Sequence, residues 1–197
     1  MLFRSRLGAI VSATDVRPAA KEQVASLGAK FIAVEDDEFK QAQTAAGYAK
    51  PMSEAYQKKQ AELVANHIKN QDIVITTALI PGRPAPRLVT KDMVESMKSG
   101  AVIVDLAAER GGNCELTQPD KVVDHNGVSI AGPTNLPGEL PVNATNLYAK
   151  NLYAFLESLF DKKAKALAIN WDDELVKGTL VAKGGAIVHP NLTKGAS

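Results

Sequence analysis

Residues 9–34 read AIVSATDVRPAAKEQVASLGAKFIAV, and this stretch decides the fold. Its first six residues are a short, largely apolar run, the pattern of a strand buried on both faces. Pro18 suits the first turn of a helix, where its missing N–H has no partner to lose; residues 19–27 continue the helix and Gly28 supplies the stop. Residues 30–34 (KFIAV) form a second apolar strand. Strand, helix and strand in so few residues make a βαβ unit, which requires a parallel sheet with crossover helices.

The same rhythm runs outward. Ser53 caps a helix reaching Asn70, with Tyr56, Gln60, Leu63, Val64, His67 and Ile68 along one face. Residues 72–77 (DIVITT) are a strand, Thr90 caps a helix through Met97 that Gly100 stops, and residues 101–106 (AVIVDL) and 128–131 are further strands. Residues 144–160 form an amphipathic helix whose buried stripe is Leu147, Tyr148, Leu152, Phe155, Leu156 and Leu159. Residues 167–171 and 175–188 are short β-prone runs broken by Lys177-Gly178 and Lys183-Gly184-Gly185, which predicts a small antiparallel meander. The segment 35–51, between the second strand and the Ser53 helix, is long and polar, the composition of a lid or binding loop. Its acidic run, Glu35 to Glu38, reads as a solvated loop edge.

Composition excludes several classes. The 197 residues are 45% hydrophobic and 23% charged, the balance of a folded globular chain rather than a disordered one. Lys and Arg number 23 against 22 Asp and Glu, so no basic field argues for nucleic acid. The single cysteine, Cys114, excludes a disulfide framework and a Cys-based zinc cage. The longest charge-free stretch, 126–138, is too short and too broken by Gly and Pro to span a membrane. The opening MLFRSR lacks the apolar core of a signal peptide. Arg6-Leu7-Gly8 reads as the last turn of a helix and its stop, so truncation is expected, with residues 1–5 foreign or mis-assembled.

In open parallel sheets ligands bind outside the carboxyl ends of the strands. Here those ends carry Thr14-Asp15-Val16-Arg17, Thr76-Thr77-Ala78-Leu79, Glu109-Arg110-Gly111-Gly112-Asn113 and Thr134-Asn135, a convergence of hydroxyls, amides and glycines that suits a nucleotide cleft. Asp15 is the sharpest of them. An acid at the end of the second strand of a dinucleotide fold accepts hydrogen bonds from the adenosine ribose and favours NAD, because a 2′-phosphate would repel it. The competing reading is a cap for the Pro18 helix. The glycine-rich turn G-x-G-x-x-G belongs about 20 residues before that acid, and the fourteen residues preceding Asp15 do not contain it. Either this is not a dinucleotide fold or its first strand has been cut off; the helix end at Gly8 favours the cut. His67, His189 and Glu109 read as core or surface residues, Cys114 as a small packing residue, and Asp105 as either structural or cleft-lining.

At this point the residues resemble a known family. Arg6-Leu7-Gly8-Ala9 through Ala13-Thr14-Asp15-Val16-Arg17-Pro18, Ala45-Ala46-Gly47-Tyr48-Ala49-Lys50, Lys58-Lys59-Gln60-Ala61-Glu62, Ile75-Thr76-Thr77-Ala78-Leu79-Ile80-Pro81-Gly82, Val104-Asp105-Leu106-Ala107 with Gly111-Gly112-Asn113-Cys114, and Gly184-Gly185-Ala186-Ile187-Val188-His189-Pro190 recur in this order in the NAD(H)-binding domain of proton-translocating NAD(P) transhydrogenase alpha subunits, within the alanine dehydrogenase/transhydrogenase family. The resemblance implies an α/β, Rossmann-like doubly wound parallel sheet lacking its first strand, over residues 6–163, with a C-terminal β appendage and linker at 164–197. It implies hydride transfer between NADH and NADP coupled to proton translocation, with NAD(H) bound by this domain and NADP(H) on a partner domain. The implied cofactor contacts are Asp15, Val16 and Arg17 at the ribose, Gly47 and the closing Tyr48 in a mobile loop, Gln60, and Leu79. No catalytic acid, base or metal is implied. The implied partners are NADP-binding and membrane domains or subunits and a second copy of the NAD domain, with no nucleic acid, at the cytoplasmic face of a bacterial inner membrane.

One departure keeps a second enzyme in view. After Asn135-Leu136-Pro137, transhydrogenases carry Ser-Arg, whereas this chain has Gly138-Glu139, closer to alanine dehydrogenases. Against that enzyme stand the Gly47-Tyr48 loop, the C-terminal meander, and Glu109 where those dehydrogenases place an aspartate. A non-catalytic nucleotide-binding module is the third reading. Because a pyrophosphate site needs the glycine turn and helix N-terminus, these 197 residues alone are expected to bind NADH weakly or not at all; calorimetric titration giving tight binding would overturn that expectation.

Overall fold

In the computed structural model, which describes residues 2–42, 52–80 and 82–193, the βαβ unit is present. Helix α1 (Leu2–Arg6) ends where Gly8 takes a φ of 85°. Strand β1 (Ser12–Ala13) then leads into α2 (Pro18–Ser26), with Pro18 in its first turn, and β2 (Lys30–Phe31) pairs parallel to β1. Both strands are shorter than their apolar runs. Ile10 is fully exposed, since β1 has a ladder partner on the β2 side alone among the described residues.

The segment after β2 is not wholly loop. Asp37 opens a short helix, α3 (Asp37–Lys40), because the Asp36 carboxylate accepts from Phe39 N–H at 3.0 Å and caps it. Phe39 is buried and lies 6.0 Å from the Phe31 ring. The acidic run is therefore partly structural: Glu38 also accepts from the Ser53 hydroxyl at 2.6 Å. Ser53 caps α4 (Glu54–Ile68), its hydroxyl accepting from Tyr56 N–H at 3.2 Å.

A four-stranded sheet follows. Strand β3 (Ile73–Thr76), α5 (Lys91–Glu95) capped by Thr90, and β4 (Val102–Asp105) form a second βαβ unit. A single 3-10 turn (Ala108–Arg110) precedes β5 (Val122–His125) and β6 (Val128–Ala131). The order is β3-β4-β6-β5, with β4 and β6 parallel and β5 antiparallel at the edge. The sequence reading missed β5. Its signal was Asn126-Gly127, whose φ values of 54° and 80° make the tight two-residue turn joining β5 to β6.

Ile68, Val94, Met97, Ile103, Val128 and Ile130 pack into the core of this sheet. Helix α4 also reaches β1, where His67 Nε2 and Ser12 Oγ lie 2.7 Å apart and burial, then the Lys30 charge, push the imidazole pKa down. One helix thus braces both sheets.

Residues 135–197 form a second compact unit. It contains α6 (Leu136–Glu139), α7 (Pro141–Ser158), the hairpin β7 (Phe160–Asp161) with β8 (Ala166–Leu167), α8 (Glu174–Thr179), the hairpin β9 (Ala182–Lys183) with β10 (Ala186–Ile187), and α9 (Pro190–Thr193). The expected continuous meander is instead two hairpins separated by a helix. Asp173 caps α8 by accepting from Leu175 and Val176 N–H, which turns the β-prone 175–179 helical. The expected buried stripe of α7 is also corrected. Phe155 and Leu159 line an apolar hollow with Ile169, Trp171 and Val176, but Leu147, Tyr148, Leu152 and Leu156 are exposed; the hairpins and α8 cover only the C-terminal part of so long a helix.

Ile103 is fully buried at the centre of the larger sheet, so Ile103→Ala is expected to lower stability by about 2–5 kcal/mol, read as a fall in the urea midpoint at unchanged slope.

Candidate functional site

The carboxyl end of β1 delivers Thr14 and Asp15 to the surface. Asp15 does not cap α2, whose N-cap is Arg17 without a side-chain bond. Instead its carboxylate closes on Arg17: Oδ1 accepts from Arg17 N–H at 2.9 Å and Nε at 3.0 Å, and Oδ2 from Nη2 at 2.7 Å. Half-burial pushes the Asp15 carboxyl up, and the Arg17 hydrogen bonds and charge outweigh it, so the group sits below the usual carboxylate range. The arrangement is a negative acceptor masked by a neighbouring cation. The Asp15 side chain is 28% exposed and that of Arg17 47%, so a ligand hydroxyl reaches the carboxylate by competing with a part-buried, charge-assisted bidentate pair.

Helix α4 sets where this end lies. Gln60 Nε2 donates to Thr14 Oγ1 at 3.0 Å, and Gln60 Oε1 accepts from Val34 N–H at 2.9 Å. The Tyr56 hydroxyl donates to Val34 O at 3.0 Å. Both backbone groups of Val34 and the side chain after β1 are therefore held by one helical face. Gln60, read as a cofactor contact, has its amide engaged inside the protein, with one N–H and one lone pair left to offer.

The ends of β3 and β4 are joined by a buried acid. Asp105, fully buried, accepts from Thr76 Oγ1 at 3.0 Å, Ala107 N–H at 3.0 Å, Cys114 N–H at 2.9 Å and Thr117 Oγ1 at 2.7 Å. Burial pushes its pKa up, but these donors outweigh that and hold the carboxyl below its ordinary value. The two readings left open for Asp105 are thereby settled as structural. Cys114 is buried as expected, and Glu109 is exposed beside Arg110. Leu79, just past β3, is 48% exposed.

Asp15, Val16, Arg17 and Gln60 thus gather at the end of β1, and Leu79 stands at the end of β3. Gly47 and Tyr48 lie outside the described residues. Sequence reasoning placed Asn113 in a strand-end loop without assigning it a role; its side chain bonds to Ala78 and Pro86. Its signal in the sequence was an amide directly after Gly111-Gly112, where the chain turns with φ of 93° and 78°. Among the described residues no group of His, Cys, Asp and Glu could hold a metal ion, and no helix is long and apolar enough to cross a membrane.

Residues 3–190 match the family described as alanine dehydrogenase/PNT, C-terminal domain. The chain belongs to this alanine dehydrogenase/PNT family. It is 56% identical over 188 residues to the first portion of the split NAD(P) transhydrogenase subunit alpha of Rhodospirillum rubrum, a match covering 95% of this chain and 49% of that protein. It is 36% identical over 131 residues to alanine dehydrogenase 1 of Staphylococcus aureus, covering 64% of this chain and 35% of that protein. Its structure is similar to that of the transhydrogenase from Sinorhizobium meliloti, with a TM-score of 0.77 and 58% identity over 95% of this chain and 48% of that one. The chain spans about half the length of these transhydrogenase relatives. The expected α/β Rossmann-like fold of the alanine dehydrogenase/PNT domain is therefore established, with transhydrogenase subunits nearer relatives than alanine dehydrogenase.

Because the Asp105 pKa is lower folded than the ~3.9 of a free aspartate, its contribution to stability is complete above that value and is lost as pH falls through the folded one. Asp105→Asn puts an N–H₂ against donors and is expected to cost about 1–3 kcal/mol near neutral pH. It is also expected to flatten the acid limb of stability against pH, read from urea midpoints across the acid range.

Proposed function

We propose that this chain is the NAD(H)-binding part of a transhydrogenase alpha subunit. In this reading it holds NADH for direct hydride transfer to an NADP bound on a partner domain, coupled to proton translocation. The observation that carries the reading is the Asp15 carboxylate at the carboxyl end of β1, in a chain 56% identical over 188 residues to a transhydrogenase subunit alpha. The residues fit the adenosine end of a dinucleotide. A carboxylate accepts from ribose hydroxyls and opposes a 2′-phosphate, which favours NAD over NADP. A bound nicotinamide would supply the hydride chemistry. This chain's part is to bind and orient. Asp15, Val16 and Arg17 would meet the ribose, Gln60 would set the strand end that carries them, and Leu79 would pack against the dinucleotide, with Gly47 and Tyr48 as the closing loop. Direct hydride transfer asks the protein for contact distance and exclusion of water rather than an acid or base.

Of the 6–163 span assigned to the dinucleotide domain, the strands of both sheets fall before residue 132, and residues 135–163 cluster with the C-terminal unit. β1 and β3 each keep an edge with no ladder partner among the described residues while α4 braces both, so a further parallel strand between them would complete a doubly wound order. The exposed apolar side chains of α7 suit a protein surface, in keeping with a second copy of the domain and with NADP-binding and membrane subunits. Location at the cytoplasmic face of a bacterial inner membrane follows from the same reading. Alanine dehydrogenase chemistry is the second reading, favoured by Pro137-Gly138 and by the Staphylococcus aureus relative.

The test is made in the complete subunit containing this chain. Asp15→Ala is expected to weaken NADH binding roughly ten- to a hundredfold, the worth of one charge-assisted hydrogen bond at about 1.5–3 kcal/mol. Unchanged affinity would remove Asp15 from the site. Hydride exchange with an NADP-binding partner, against turnover of alanine and NAD, separates the two enzymes.

A further inference from the structure

We propose that Asn113 is a positioning residue: its buried carboxamide closes the neck of the 79–85 loop and so holds Leu79 where the dinucleotide meets it. The proposal rests on the reading of Leu79 given above; the clamp itself stands on geometry alone.

Asn113 is 0% exposed. Its Nδ2 donates to Ala78 O at 2.9 Å and to Pro86 O at 2.8 Å, and its Oδ1 accepts from Ala78 N–H at 2.9 Å. One amide thus uses both of its donor hydrogens to join the two limbs of a loop, and takes both backbone groups of Ala78. A carboxylate has no hydrogens to give, and an alkyl side chain can neither give nor accept. The two limbs depend on it unequally. The C-terminal limb has other anchors on the 110–113 segment: Ala85 N–H donates to Arg110 O at 2.8 Å, and Leu88 and Val89 N–H donate to Asn113 O at 2.8 and 3.0 Å. At Ala78 the N-terminal limb is held by the Asn113 side chain. Immediately beyond that point Leu79 and Ile80 are exposed, and Arg83 N–H turns back to Ile80 O at 3.1 Å. Compact loops with closed necks are frequently functional.

Asn113 is itself placed from both sides. Gly112 has a φ of 78°, and a Cβ there would stand 2.7 Å from Asp105 Oδ2. Cys114 N–H is bound by that same oxygen. The order of dependence runs from the Asp105 carboxylate to the 112–114 turn, to the Asn113 amide, to Ala78, and so to Leu79.

The complete subunit is compared as wild type, Asn113→Ala, Asp15→Ala and Val128→Ala, the last a buried core residue away from the loop. Hydrogen exchange at the Ala78 amide reads the neck, NADH titration reads the site, and thermal unfolding reads stability. Asn113→Ala is expected to speed Ala78 exchange and to weaken NADH about ten- to a hundredfold, the worth of one buried Leu side chain, while Val128→Ala lowers the melting temperature and leaves NADH affinity unchanged. Unchanged Ala78 exchange overturns the clamp. Faster exchange with unchanged NADH affinity, while Asp15→Ala still weakens it, overturns the positioning role and leaves the site reading standing. If neither Asp15→Ala nor Asn113→Ala alters NADH affinity, the site reading falls and the positioning role with it. Equal weakening by Val128→Ala reduces Asn113 to general stability and overturns the proposal. Should Asn113→Ala fail to fold, Asn113→Asp, which keeps the size and the acceptor but loses both donors, gives the same comparison.

Discussion

The Asp105 carboxylate is buried at the end of a parallel strand, and among the described residues no cation pairs with it. A charge in that position survives only if donors replace the water it has lost. Here they come from the neighbouring strand, from the turn that follows β4, and from the 114–117 segment. Satisfying one group therefore requires three stretches of chain to be in place together. That requirement shapes the end of the sheet where the candidate site lies. It brings Gly112 close, where a side chain would collide, and it sets the turn from which Asn113 reaches the loop after β3.

A second constraint acts at the other sheet. β1 and β2 are two residues long, too short for their own ladder to define the direction in which Asp15 leaves. Helix α4 supplies what the ladder lacks, binding Val34 at both backbone groups and Thr14 at its hydroxyl. The same helix buries Ile68 in the core of the larger sheet. A change in the core below Ile68 is thus mechanically continuous with the residue proposed to meet the ribose. Asp15, in turn, is masked by Arg17 rather than free, so the site is electrostatically quiet until a ligand competes for the carboxylate.

Much of the fold was legible because it depends on local rules. Pro18 in a first turn, the Ser53 and Thr90 caps and the Gly28 stop are decided within a few residues of chain, and the structure carries each of them, whereas α5 ends at Glu95, short of both Met97 and the Gly100 expected to stop it. Three misreadings have equally local explanations. Asn126-Gly127 announced a hairpin that was passed over, Asp36 capped a helix inside a segment read as loop, and Asp173 turned a β-prone run helical. The stripe of α7 failed for a different reason. A periodic apolar face says that a helix can be covered, not that its own unit has enough surface to cover it.

Most element types, the parallel α/β architecture and the acid at position 15 are written along the chain, because strand and helix periodicity, capping and strand-end composition are properties of neighbouring residues. Tertiary structure alone decided what the polar residues do. Gln60 and Asn113 lie 26 and 35 positions from the backbone groups they hold, and Asp105 lies 29 from Thr76. No pattern along the chain records such pairings. They arise because a buried polar group must find its partner wherever the packed chain happens to bring one.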